Sequence, residues 1–224
     1  MEFLIYFALI LIIPIWAQSK VKKTYKKYSK EPISSAMSGA EVARKILDDN
    51  GLYNVAVEEV RGHLTDHYDP RSKVIRLSSD NFHGRSAAGA AVAAHEVGHA
   101  IQDAQDYAFL KFRSALVPVA SFGSNASIFL IIGGLLLNMT GLYLAGVVFF
   151  TAAVLFQLVT LPVEFDASNR AMGQMVSSGI IRNDEERKTK KVLNAAAMTY
   201  VAAAIVALLE LLRFVLMFTG MGEE

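Results

Sequence analysis

Two histidines four residues apart enclose a glutamate in the segment His95-Glu96-Val97-Gly98-His99. On a helix, this H-E-x-x-H spacing places both imidazoles on one face, one turn apart, where they can bind the same metal ion. Glu96 lies about 100° further round the helix than His95, so its carboxylate can reach a water molecule bound to that metal. The pattern predicts a zinc-dependent hydrolase centre, with a chance coincidence of the three residues as the alternative.

The sequence around this motif favours a helix. Residues 86–105 contain no proline and many alanines, and Ser86 has the side chain of a good N-cap. Most residues before the motif are alanine or glycine, so neighbouring elements can approach this helix closely. The two histidines are therefore predicted to lie on a helix with closely packed neighbours.

The composition limits which ligands and partners the chain can use. It contains no cysteine, so disulfides and thiolate metal sites are excluded, and zinc would be held by histidine and carboxylate. The net charge of +1 gives no reason to expect a nucleic acid partner. Hydrophobic residues make up 53% of the chain and the mean hydropathy is +0.35, which is high for a soluble protein. A membrane protein is therefore expected.

Three apolar stretches predict four transmembrane helices. Residues 1–19 form an anchor, residues 114–163 contain no charged side chain and can form a hairpin of two spans, and residues 195–219 form the last span. A cleaved signal peptide is the alternative for the first stretch, but it lacks a preceding positive charge and a small-x-small cleavage site. A buried soluble hairpin is the alternative for the second, but so small a domain could hardly cover two apolar helices.

The lysines that follow the first span predict the orientation in the membrane. Basic residues concentrate on the cytoplasmic side of spans, so residues 20–113 and 164–194 are expected to be cytoplasmic, in a multi-pass membrane protein. These lysines attract anionic lipid headgroups, but a solvated basic linker without specific lipid recognition is the preferred interpretation. The lysines are Lys20, Lys22, Lys23, Lys26, Lys27 and Lys30.

In the last span, Glu210 and Arg213 predict an interfacial ion pair rather than a transport function.

Residues 20–113 are predicted to form a small α+β domain around the metal-binding helix. A capping box of Ser38 and Glu41 predicts the start of another helix. Residues 55–60 and 73–78 have the β-branched and apolar composition of short strands. Because the chain passes almost directly from 73–78 to the metal-binding helix, we expect that strand to be a sheet edge that pairs with an extended peptide substrate.

A catalytic zinc site needs a third protein ligand and one open coordination position. Two predicted spans lie between His99 and residue 164, so the chain returns to the side of the membrane that carries the two histidines. The segment 161–170 is thereby placed on the correct side, although other histidines and carboxylates remain possible ligands.

The motif HEVGH, together with LTDHYDP upstream and LPVEFDAS and AAAMTYVAA downstream, resembles the YugP-type neutral zinc metallopeptidases of bacterial membranes over nearly the whole chain. This resemblance implies a zincin-like domain of the gluzincin type, with Zn²⁺ as the cofactor and Glu164 as the third ligand. Many gluzincins have an aspartate four residues after that glutamate, where it supports a ligand histidine. Here Ser168 occupies that position. Asp166 is on the wrong helix face for this support, whereas Asp103 is on the correct face relative to His99.

The sequence thus predicts an α-helical membrane protein with a small zincin-like metalloprotease domain and four transmembrane helices. It would be an endopeptidase that cleaves membrane-associated proteins or peptides, with Glu96 as the general base. His67 is the first candidate for stabilising the oxyanion, followed by Tyr68 and Arg170, and the alternative for His67 is a turn histidine bonded to a neighbouring aspartate. The alternative functions are a non-catalytic metal-binding membrane protein (a sensor, scaffold or transporter) and a soluble hydrolase with a hydrophobic core.

Overall fold

The computed structural model describes the main chain of residues 2–221. In this part of the chain there are seven α-helices and three β-strands, in an order that places the small sheet between the first and the fourth helix. The elements are α1 (Glu2–Tyr28), α2 (Gly39–Asp49), β1 (Ala56–Val60), β2 (His67–Asp69), β3 (Val74–Ser78), α3 (Ser79–His83), α4 (Ala87–Ala104), α5 (Ala108–Leu136), α6 (Thr140–Ser177) and α7 (Asn183–Met221).

The chain divides into two compact units. The sheet-bearing unit comprises Ala17–Tyr107 and Val163–Thr199, and the helical unit comprises Met1–Trp16, Ala108–Pro162 and Tyr200–Glu224. The sheet-bearing unit is therefore built from two chain segments, each of which contributes to one hydrophobic core. The predicted boundaries at residues 19, 113, 163 and 194 stay predictions.

The predicted capping box starts α2. Ser38 Oγ accepts a hydrogen bond from the Glu41 main-chain N–H at 3.3 Å, and Glu41 Oε2 accepts one from the Ser38 N–H at 2.7 Å. These bonds satisfy main-chain donors that a helix start leaves unpaired. The apolar side of α2, which includes Val42, Ile46 and Leu47, is fully buried in the core.

The three strands form one sheet in the order β1-β3-β2. Strand β3 pairs in parallel with β1, where Ala56 is opposite Val74, and antiparallel with β2, where Tyr68 is opposite Ile75. The prediction that residues 73–78 form a sheet edge is wrong, because β3 is the central strand and has a partner on each side. The edges are β1 and β2, and β2 is a strand that the sequence analysis did not predict.

Helix α4 lies in the middle of the core of the sheet-bearing unit. Its alanines are buried on several sides, and both chain segments of the unit pack into the same core. The second segment contributes Ala171, Met175 and Ile180, and the end of α1 contributes Tyr25 and Tyr28. The small residues of α4 therefore allow the close packing that the sequence predicts.

A buried polar network ties α1 to the sheet. The Tyr25 hydroxyl donates to Asn81 Oδ1 at 2.7 Å, and Asn81 Nδ2 donates to Asp66 Oδ2 at 2.9 Å. The Asp66 carboxylate also accepts hydrogen bonds from the main-chain N–H and hydroxyl of Ser78. Asp66 of the LTDHYDP segment thus joins the end of β3 to α3 and α1. Its carboxylate therefore has a structural function in the fold.

Four of the described helices are long and apolar enough to cross a membrane, in agreement with the predicted number of spans. They are Leu4–Tyr28, Ala108–Leu136, Thr140–Ser177 and Asn183–Gly220. The predicted anchor lies in α1, except for Met1, which is outside the described residues. Helix α1 continues to Tyr28, so five of the six lysines after the anchor lie on a helix and not on the predicted linker, and Lys30 follows the helix.

Within the helical unit, α5 and α6 approach each other at small residues. A Cβ atom on Gly134 would lie 2.5 Å from the main-chain nitrogen of Tyr143, so a larger residue would force the helices apart there. The predicted pair of Glu210 and Arg213 is present at 3.4 Å, and the Arg213 guanidinium also lies over the Tyr6 ring. These contacts pair the charges inside the last apolar helix, as the interfacial ion-pair interpretation expects.

Candidate metal centre

Helix α4 places His95 and His99 side by side. Their ring centroids are 4.8 Å apart, as expected for residues one turn apart on one face of a helix. Ser86 starts this helix, because its hydroxyl accepts a hydrogen bond from the Gly89 N–H at 3.1 Å. The helix start that the sequence predicts is therefore confirmed.

Helix α6 brings Glu164 against both histidines. Glu164 is 2% exposed, and its Oε2 atom lies 3.2 Å from His95 Nε2 and 3.6 Å from His99 Nε2. One ligand atom from each of the three side chains lies within 4.8 Å of the others. These three residues could together hold a metal ion, although His95 and Glu164 are 69 positions apart in the sequence.

The spacing of these atoms fits zinc. Ligands about 2.0–2.1 Å from a tetrahedral Zn²⁺ lie roughly 3.3 Å from one another, close to the two nitrogen–oxygen distances of 3.2 and 3.6 Å. Two imidazole nitrogens and one carboxylate also form a donor set that catalytic zinc sites use, with one coordination position left for water or substrate. The residues present therefore fit the group that the sequence motif implies.

Gln102 selects the nitrogen of His99 that can bind a metal. Its Nε2 donates to the carbonyl of Val163 and to Asp166 Oδ2, both at 2.8 Å, so its Oε1 atom is the one that faces His99 Nδ1 at 3.0 Å. An amide oxygen can only accept, so Nδ1 of His99 carries the proton. The neutral imidazole then presents an unprotonated Nε2 to the centre, as a zinc ligand requires.

Ser168 supports the other histidine. Its Oγ atom lies 3.2 Å from His95 Nδ1, on the side of the ring away from Glu164. When His95 uses Nε2 as a ligand, Nδ1 is protonated and donates to this hydroxyl oxygen. Ser168, four residues after Glu164, therefore contacts the ring nitrogen of His95 that is not directed at Glu164.

Asp103, a candidate from the sequence for supporting His99, is bonded elsewhere. The Asp103 carboxylate instead accepts hydrogen bonds from the Tyr68 hydroxyl and from Lys73 Nζ. Asp166 reaches the site indirectly, because it holds the amide of Gln102. Sequence reasoning missed Gln102, a fully buried side chain three residues after His99, and its only signal was that spacing on a helix otherwise lined with small residues.

Glu96 is a buried carboxylate beside the two histidines. It is 8% exposed, and within the described part of the chain no side chain or main-chain group forms a hydrogen bond or ion pair with it. Burial acts to lower the pKa of His99, but the hydrogen bond to Glu164 and the charges of Glu164 and Glu96 raise it above its ordinary value. The centre therefore favours a positive charge, and Glu96 keeps both oxygens available.

The three candidates for oxyanion stabilisation are bonded elsewhere. His67 lies on the edge strand β2, exposed, with Nδ1 2.8 Å from the carbonyl of Thr65 rather than from a neighbouring aspartate. The Tyr68 hydroxyl donates to Asp103 at 2.6 Å, and Arg170 bonds to Asp166 and Gln105. Burial and the Asp103 carboxylate raise the pKa of Tyr68, so it keeps its proton. The oxyanion role of His67 stays a prediction.

Comparison with known proteins identifies relatives over almost the whole chain. Residues 3–219 match the model of a family described as "Putative neutral zinc metallopeptidase". A protein of Bacillus subtilis (strain 168) named "Putative membrane protease YugP" is 54% identical over 209 residues, which cover 93% of each chain. No solved structure matches the chain.

Proposed function

The chain belongs to the family described as "Putative neutral zinc metallopeptidase", and we propose that it is a membrane-embedded, zinc-dependent endopeptidase. The observation that carries this proposal is the convergence of His95, His99 and Glu164 on one point beside the unbonded carboxylate of Glu96. Three ligands and a nearby base are the parts that hydrolysis by an activated water requires.

In the proposed mechanism, His95, His99 and Glu164 would hold Zn²⁺, with the two rings oriented by Ser168 and Gln102. The bound zinc supplies Lewis acidity, which lowers the pKa of water toward about 7 and polarises the substrate carbonyl. Glu96 takes the proton from the attacking water and then donates it to the leaving nitrogen of the peptide bond. Because Glu96 has no hydrogen-bond partner among the described residues, no existing bond must break before it accepts this proton.

We place the substrate along strand β2. This strand pairs only with β3 in the described part of the chain, so its outer edge has free main-chain donors and acceptors. An extended peptide can pair with such an edge through its own main chain, which requires no particular side-chain sequence. Tyr68 on this strand is bonded to Asp103 of α4, which links the edge to the helix that carries both histidines. The arrangement of α4 beside this sheet is the basis for proposing a zincin-like fold.

We propose that the centre faces the cytoplasm of a bacterial cell. The support is the group of lysines at the end of α1, since basic residues beside a span concentrate on the cytoplasmic side. Proteins or peptides in or near the plasma membrane are then the substrates within reach. Membrane lipid is a second expected partner.

The proposal is tested by metal content and proteolysis of the full chain purified in detergent. We expect about one zinc per chain, less in His95→Ala and Glu164→Ala, and unchanged zinc in Glu96→Gln. Casein cleavage should fall about 10²–10⁴-fold in Glu96→Gln and stay unchanged in Glu58→Gln, an exposed control of the same type.

Three outcomes would contradict parts of this proposal. Full cleavage by Glu96→Gln excludes the mechanism, and zinc retained by Glu164→Ala excludes Glu164 as a ligand. If the wild type binds zinc as expected but cleaves neither casein nor membrane-protein substrates, a non-catalytic metal-binding function replaces the protease.

A further inference from the structure

A cleft of about 710 Å³ opens in the sheet-bearing unit, and none of the three candidate metal ligands is among the residues that line it. It is lined by the second half of α1, by the start of α7 and by Phe165 of α6. Lys20, Lys23 and Lys27 line it from α1, and Lys191 lines it from α7. The proposed protease mechanism uses none of these residues.

The charge of this cleft has a single sign. Four of its lining side chains are lysines and no aspartate or glutamate is among them. Lys20, Lys23 and Lys27 follow a spacing of three and four residues, so they lie along one face of α1. Glu31, an acid just beyond this helix, pairs with Lys188 at 3.1 Å and does not line the cleft. The cleft is therefore complementary to an anion.

The cleft also has an apolar wall. Phe165 is 44% exposed although its ring is fully hydrophobic, and Met198 and Ala195 lie on the lining face of α7. A free phosphate ion would use the lysines but would leave this wall in contact with water. A ligand with a negative headgroup and a hydrocarbon part would satisfy both surfaces.

The position along the helices points to the same ligand. In α1, Lys20 follows the end of the apolar anchor within a few residues, and in α7, Lys191 directly precedes the apolar stretch that begins at Ala195. Lysines at the end of a span lie at the level of lipid headgroups, where they attract anionic lipid. We propose that this cleft binds the phosphate of an anionic phospholipid through its lysines, with an acyl chain against Phe165 and Met198.

The opposite face of α1 provides a contrast. It lines a second cavity of about 600 Å³ with Lys22, Lys26 and Arg85, but Asp80 lies in the same wall. The carboxylate offsets part of the positive charge there. The acid-free cleft is thus the better anion site, and the lysines of the other face provide a control with the same charge.

The test measures lipid binding by the full chain in nonionic detergent. The probe is a fluorescent phosphatidylglycerol followed by anisotropy, with dioctanoyl phosphatidylglycerol, dioctanoyl phosphatidylcholine and glycerol 3-phosphate as competitors. We expect only the phosphatidylglycerol to compete in the wild type. The variant Lys23→Gln/Lys27→Gln/Lys191→Gln should bind at least about tenfold more weakly. The control triple Lys22→Gln/Lys26→Gln/Lys190→Gln should bind as the wild type does, and its third position, Lys190, is an exposed residue of α7 that does not line the cleft.

The results that overturn the inference are distinct. Equal weakening by the control triple means that net basic charge, not this cleft, attracts the lipid. Equal competition by phosphatidylcholine removes the requirement for an anionic headgroup, and equal competition by glycerol 3-phosphate indicates a soluble phosphate site. If the cleft triple does not fold, Asn194→Glu places one carboxylate at the lining and should weaken binding, while Asn194→Gln should not.

Discussion

Gly98 and Ala167 lie in main-chain contact, so close that a Cβ atom on Gly98 would be 2.4 Å from the Ala167 carbonyl oxygen. Each residue directly precedes a residue of the metal centre, His99 on α4 and Ser168 on α6. Because the obstructing atoms belong to the main chain, no side-chain rotation can relieve the contact. The absence of a side chain at Gly98 therefore allows Glu164 to reach both histidines.

The first prediction concerns Gly98→Ala. The added methyl group should push α4 and α6 apart, at a cost of about 1–3 kcal/mol, and zinc content should fall well below that of the wild type. Gly173→Ala on α6 is the control, because a Cβ there meets nothing within 4 Å. The prediction is checked by measuring the metal content and the thermal unfolding of both variants. If Gly98→Ala bound as much zinc as the wild type, the contact between the helices would not position the ligands.

The second prediction concerns Gln102→Met, which keeps the side-chain length but removes the acceptor for His99 Nδ1. Loss of such a supporting bond should weaken zinc affinity about 10–100-fold, while the three ligands stay in place. Competition with a chelator measures this affinity, with Gln105→Met at the exposed end of α4 as the control. Equal affinities in the two variants would mean that the orientation of His99 does not depend on Gln102.

The third prediction concerns Asn81→Ala in the network that joins α1 to the sheet. The substitution leaves the buried Tyr25 hydroxyl without its partner and removes one of the hydrogen bonds that Asp66 accepts, while the bonds from Ser78 to Asp66 remain. A buried unsatisfied group costs about 1–3 kcal/mol. Thermal unfolding in detergent should show a clear loss of stability, whereas Asn54→Ala at an exposed position should change little. An unchanged unfolding temperature in Asn81→Ala would indicate that the network does not contribute to stability.

The fourth prediction concerns the orientation of the four apolar helices. With the lysine-rich end of α1 in the cytoplasm, an even number of spans places both chain termini outside. Alkaline phosphatase fused after Glu224 should therefore be active in intact cells, and a fluorescent protein at the same site should be dark. The reverse pattern would put the metal centre on the outer face of the membrane.

Features that depend on local spacing were predictable from the sequence. The paired histidines, the capping box of Ser38 and the apolar helices each follow from residues within one or two turns of one another. Glu164 required more, because α5 and the first part of α6 separate it from the histidines along the chain. Its prediction came from the topology together with the family resemblance.

Features that depend on distant pairing were missed. Strand order is decided by contacts between strands, so the sequence did not show that β3 is central. Strand β2 has only three residues, too few for an alternating pattern to be seen. Gln102 shows the same limit, because an isolated glutamine on a helix looks the same whether it faces solvent or fixes the tautomer of His99.

The division of the sheet-bearing unit into two chain segments has a consequence for the biosynthesis of the protein. His95 and His99 leave the ribosome first, and Glu164 follows only after Ala108–Pro162 has been made. A chain that stops before Glu164 of α6 holds two ligands and lacks the third, so it cannot assemble the whole centre. The enzyme proposed here would thus remain inactive during translation and acquire its activity only after both helices of the hairpin have been synthesised.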